Sequence, residues 1–61
     1  MVYVVEIESR AGDRAVKEYD ARSAYELNFV VRHELRQYPA FKVVQAWSKE
    51  DPGRQVFVSS V

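Results

Sequence analysis

The sequence predicts an α+β domain: a four-stranded antiparallel sheet in β-β-α-β-β order with a single helix packed on one face. Three observations carry that expectation. Residues 23–38 have helical periodicity with a start and a stop signal. Four short segments rich in β-branched and aromatic residues surround it, two on each side. Each pair of segments is joined by a cluster of turn-forming residues. There is no linker, repeat or low-complexity tract, so residues 1–61 make one domain.

The first strand is expected over residues 2–8. Its start is apolar on both sides (Val2, Tyr3, Val4, Val5), and its end alternates through Glu6, Ile7 and Glu8. An apolar run of that kind suits an interior strand. Ser9 to Asp13 forms a turn in which Gly12 can adopt the positive φ that hairpin loops need. Residues 14–19 return as a second strand with the charged character of a sheet edge.

The helix begins at Ser23, which with Glu26 matches a capping box. Pro39 stops it, because the residue before a proline is pushed out of the α region. Residues three and four apart share a helical face. Ala24, Leu27, Val31, Leu35 and Tyr38 therefore form the expected core stripe. Tyr25, Phe29, Arg32, His33 and Arg36 form a second stripe on the outer side.

A third strand is expected over residues 41–48, a turn over 49–53 and a fourth strand over 55–61. The strand order 2-1-3-4 is preferred, because it sets the apolar first strand inside a fully antiparallel sheet. Simple alternation places Phe41, Val43 and Trp47 on one face, opposite Val44 and Ala46. Apolar residues fall on both faces of the sheet, and one helix covers only one. The other face is then either a solvent surface or covered by a partner.

Composition narrows the function. A 61-residue chain buries only about 60% of its unfolded surface, and domains this small usually add a disulfide, a metal or a second subunit. With no cysteine, the disulfide is impossible and a structural zinc site is disfavoured. A homodimer is the expected route to added stability. Nine basic residues balance nine acidic ones, so no overall field draws the chain to a polyanion. No basic segment precedes the short apolar start, and the absence of cysteine fits a reducing compartment. The expected location is the cytoplasm, without membrane association.

The chain offers little to catalysis. There is no cysteine or threonine nucleophile, and His33 is the one imidazole, without i, i+4 ligand partners for a metal. Glu6 and Glu8 share a strand face, a pattern more typical of a solvated strand than of an acid–base pair. Gly12 and Gly53 are isolated turn glycines and build no phosphate loop. No enzyme activity, cofactor or metal is expected. Arginine beside exposed aromatics is the composition of protein-interface anchors. The candidate partner-binding surface is accordingly either the stripe of Tyr25, Phe29, Arg32 and Arg36 or the open sheet face with Trp47, Phe41 or Phe57. The alternative is a small nucleic-acid-binding domain that stacks bases and grips phosphates with the same helical stripe. In size and character the chain resembles small accessory proteins of phages and mobile elements, which implies binding to a host protein.

Overall fold

The computed structural model describes residues 1–58. Its elements run β1 (Val2–Ser9), β2 (Arg14–Asp20), α1 (Ala24–Leu35), β3 (Phe41–Ser48) and β4 (Asp51–Gln55). The strands form one antiparallel sheet in the order β2-β1-β3-β4, with the single helix on one face. Both neighbours of β1 run antiparallel to it, so β2 and β3 are parallel to each other. Helix α1 carries the chain over β1 to connect them.

The core lies between α1 and the helix-facing residues of the sheet. Leu27, Val31 and Leu35 pack with Tyr3, Val5 and Ile7 of β1, Tyr19 of β2, Ala46 of β3 and Val58. Leu27, Val5 and Val31 are the largest fully buried side chains, each contributing about 1.5–3 kcal/mol of burial. Ser23 caps the helix: its backbone is extended and its hydroxyl accepts from the Glu26 N–H at 3.3 Å. Gly12 adopts φ +89° in the β1–β2 turn, where its N–H donates to the Ser9 carbonyl at 3.0 Å.

The helix is shorter than the sequence suggests. It ends at Leu35, and the next residues tighten through three-residue turns, Gln37 N–H to Glu34 and Tyr38 N–H to Leu35, both at 3.0 Å. Pro39 excludes the helical conformation at Tyr38, and the chain must already turn toward β3. Tyr38 thereby leaves the expected core stripe and is 51% exposed, and Ala24 is exposed at the other end. The three central positions of the stripe do the packing.

A second departure is in β3. Glu6 pairs with Gln45 but Ile7 pairs with Val43, leaving Val44 as one extra residue, a β-bulge. Alternation resets at that point. Phe41, Val43 and Ala46 face the helix, whereas Trp47 lies on the open face opposite Val4. Trp47 therefore does not share a face with Phe41 and Val43, as uninterrupted alternation requires.

The fourth strand also starts earlier than residue 55. Lys49 and Glu50 alone close the hairpin, with Ser48 paired to Asp51 and Trp47 to Gln55. Pro52, Gly53 and Arg54 are the surplus between those pairs, in a region expected to be turn. Pairing continues past β4, since the Val56 N–H donates to the Ala46 carbonyl at 2.8 Å. The expected strand residues 59–61 lie outside the described residues.

Because the bulge absorbs one residue, deletion of Val44 should leave every observed β1–β3 pair intact. The deletion variant is expected to keep the wild-type circular dichroism spectrum and a cooperative thermal transition. Loss of the folded spectrum would show that the bulge itself is required.

Candidate functional site

Helix α1 positions the outer stripe by periodicity alone. With Leu27, Val31 and Leu35 held against the sheet, the side chains at 25, 29, 32, 33 and 36 must point away from it. Tyr25 is 86% exposed and Phe29 71%, and Arg32, His33 and Arg36 are also exposed. Phe29, Arg32, His33 and Arg36 surround a concavity of about 230 Å³ on the outer surface. Arg36 closes the helix, its N–H donating to the Arg32 carbonyl at 3.2 Å. Arg32 lies in the last turn, where a cationic group complements the negative end of the helix dipole.

The structure brings the four helical candidates onto this surface. Trp47 is not among them: it is half-buried on the open face of the sheet, which faces away from the helix. Phe57, which the sequence offers as an aromatic of the open sheet face, is tied through its main chain to α1. It is 84% exposed, and its carbonyl accepts from the Asn28 amide at 2.8 Å, beside Phe29 on α1. Asn28 also donates to the Ala24 carbonyl at 2.9 Å, so one side chain ties the C-terminal segment to the helix. The tie itself is what the sequence does not announce, beyond an uncharged amide on the flank of the helix between the two stripes.

The open face is mostly polar. Arg14 bonds Glu8 at 3.0 Å and Glu6 at 3.5 Å, and Lys42 approaches Glu8 at 3.9 Å. The Gln45 amide donates to Glu6 at 3.1 Å, and the Gln55 amide donates to Gln45 at 3.2 Å. This lattice links all four strands. It engages both Glu6 and Glu8 with cations or amides, as a solvated strand face requires. Val2, Val4 and Trp47 form a small apolar strip beyond it, with Val4 buried, and Lys49 bonds Glu18 alongside at 3.2 Å.

A third cluster fixes the helix to the edge of the sheet. Lys17 of β2 forms an ion pair with Glu34 of α1, and the Tyr19 hydroxyl is buried in the same region. Burial, and then the neighbouring Glu34 carboxylate, raises the Tyr19 pKa well above its ordinary value. The carboxylate influences that hydroxyl electrostatically although no partner for Tyr19 Oη meets full hydrogen-bond geometry. The Lys17 ammonium holds Glu34 below the usual carboxylate range, against a smaller opposing effect of burial. An apolar groove of about 300 Å³ opens beside this cluster, between Ala15 and Lys17 on one side and Leu35 and Tyr38 on the other.

Among the described residues, no group of three or more His, Asp or Glu side chains is placed to hold a metal ion. No helix among them is long and apolar enough to cross a membrane.

A carboxylate whose folded pKa is depressed contributes stability above its unfolded pKa, and that contribution is lost as pH falls through the folded value. Glu34 should therefore make the domain less stable on acidification below about pH 4.5. In Glu34→Gln, urea midpoints measured from pH 7 to pH 3 should vary less with pH than in the wild type. An unchanged pH slope would show that the Lys17–Glu34 pair contributes nothing.

Comparison of the chain with family models, with curated proteins and with solved structures finds no significant match.

Proposed function

We propose that this chain is a non-enzymatic protein-interaction module, a homodimer that presents the outer face of α1 to another protein. The observation that carries this reading is the exposure of Tyr25 and Phe29 beside Arg32 and Arg36 on a face the fold does not use. Tyrosine and arginine anchors around a shallow concavity have the make-up of an interface hot spot. The rival surface is weaker, because the open face of the sheet carries its own lattice of ion pairs and amide bonds. Trp47 lies on that other side and takes no part in the helix contact. In the accessory-protein reading suggested by size and character, the partner is a host protein.

The same stripe could grip nucleic acid, but the net formal charge is 0, so no overall field draws a polyanion to it. Nucleic acid is the outcome the experiment must separate.

A photoreactive residue placed at position 29 should cross-link to a discrete protein in cells. With that protein in hand, Phe29→Ala should weaken binding by about 30-fold or more, as loss of a hot-spot anchor does. Its own unfolding free energy should move by no more than about 0.5 kcal/mol, since the side chain is exposed. Undiminished binding by Phe29→Ala would overturn the reading. So would salt-dependent binding to a mixed DNA and RNA pool that disappears in Arg32→Ala/Arg36→Ala.

A further inference from the structure

The two edges of the sheet are unlike. β4 is five residues long, contains Pro52, and is interrupted where Pro52, Gly53 and Arg54 bulge between its two pairs. Proline and bulges are the usual means of blocking a strand edge. β2 has neither: it runs from Arg14 to Asp20 in unbroken register with β1.

The hydrogen-bond phase of β2 follows from its two ends. The Asp13 carbonyl accepts from Ser9 at 2.8 Å, and the Ala21 N–H donates to Met1 at 2.9 Å. Odd-numbered residues therefore turn their main-chain groups toward β1. Arg14, Val16, Glu18 and Asp20 turn theirs to the free edge. The same four residues place their side chains on the open face, opposite Glu8, Glu6, Val4 and Val2. Val16, at the middle of this set, is 58% exposed.

We propose that β2 pairs antiparallel with β2 of a second copy, on a two-fold axis at Val16. Val16 then meets Val16 of the second copy, and Arg14 meets Glu18 of the second copy on both sides of the axis. The pairing makes about six main-chain hydrogen bonds, all from groups that β1 does not use and that turn to the edge of the sheet among the described residues. Charge complementarity selects this register. An axis at Lys17 sets two lysines opposite each other, and an axis at Glu18 sets two glutamates opposite each other, both unfavourable. In the Val16 register Lys17 instead faces Ala15, and its charge is already matched within its own copy by Glu34. Arg14 uses Nε and one terminal nitrogen on Glu8 and Glu6, leaving a terminal nitrogen for the second copy. Lys49 occupies one oxygen of Glu18 and leaves the other.

The result is one continuous sheet, four strands from each copy, with both helices on the same face. The two Tyr25–Arg36 stripes then point in one direction, so a partner meets two copies of the surface. The proposal rests on the homodimer part of the reading above and is independent of what the helix binds.

The test uses charge reversal with mixing, read by analytical ultracentrifugation. Wild type should be a dimer. R14E and E18R should each dimerise about tenfold or more weakly, because like charges then face each other twice. An equimolar mixture of the two variants should recover the dimer, since each carboxylate then meets a guanidinium. V16K, which sets two ammonium groups on the axis, should be monomeric with a wild-type circular dichroism spectrum. A wild-type monomer at about 100 μM overturns the dimer altogether. A wild-type dimer that R14E and E18R do not weaken overturns the edge contact and leaves a dimer built elsewhere. Weakened variants that fail to recover on mixing overturn this register.

Discussion

A single twelve-residue helix can cover one face of a four-stranded sheet and no more. Everything else in the molecule adjusts to that limit. The residues that meet the helix are drawn from all parts of the chain: Tyr3, Val5 and Ile7 from β1, Tyr19 from β2, Ala46 from β3, and Val58 beyond β4. Val5, at the centre and fully buried, is the point on which the others close. The three helical positions that reach this core are one turn apart, so the opposite side of α1 is committed to the exterior by geometry. Among the described residues, nothing packs over Tyr25 and Phe29 there enough to bury them.

The uncovered side of the sheet is handled differently. Apolar residues predominate on the helix side, whereas Arg14, Glu6, Glu8, Lys42, Gln45 and Gln55 bridge strand to strand across the open side. Exposed ion pairs of this type each contribute little to stability. Their effect is to make that part of the face compatible with water, beside the apolar strip of Val2, Val4 and Trp47. The recognition surface we propose is the outer helix, and the self-association edge we propose is β2. These surfaces lie in different directions, so one molecule can use both together.

Much of this was legible in the chain. Ser23 and Glu26 announced the helix start, and Leu27, Val31 and Leu35 its buried side. The apolar opening of β1 placed that strand inside the sheet and with it the order β2-β1-β3-β4. What was not legible depends on non-local adjustment. The bulge at Val44 leaves no mark in a run of β-forming residues; it arises because β3 must match β1 on both sides of Glu6 and Ile7. The early end of α1 at Leu35 reflects the path the chain must take to reach β3, not the helix propensity of Gln37 or Tyr38. Likewise Pro52 and Gly53, strong turn residues, lie within β4 because Lys49 and Glu50 already close the hairpin. At the candidate site, exposure of the helical stripe followed from periodicity. The placement of Trp47 on the open face rather than under the helix followed only from the bulge.

That displacement gives the molecule a built-in optical reporter of a particular event. Trp47 is the one tryptophan, and its surroundings on the open face are created by pairing with Val4 of β1. The β1–β2 hairpin closes over a short stretch of chain, but β3 reaches β1 only across contacts such as Glu6–Gln45, 39 residues apart. Closing the longer segment carries the larger loss of chain entropy. Indole emission in a folding experiment is therefore blind to the β1–β2 hairpin and registers the docking of β3 on β1, together with its local pairing to β4 through Gln55.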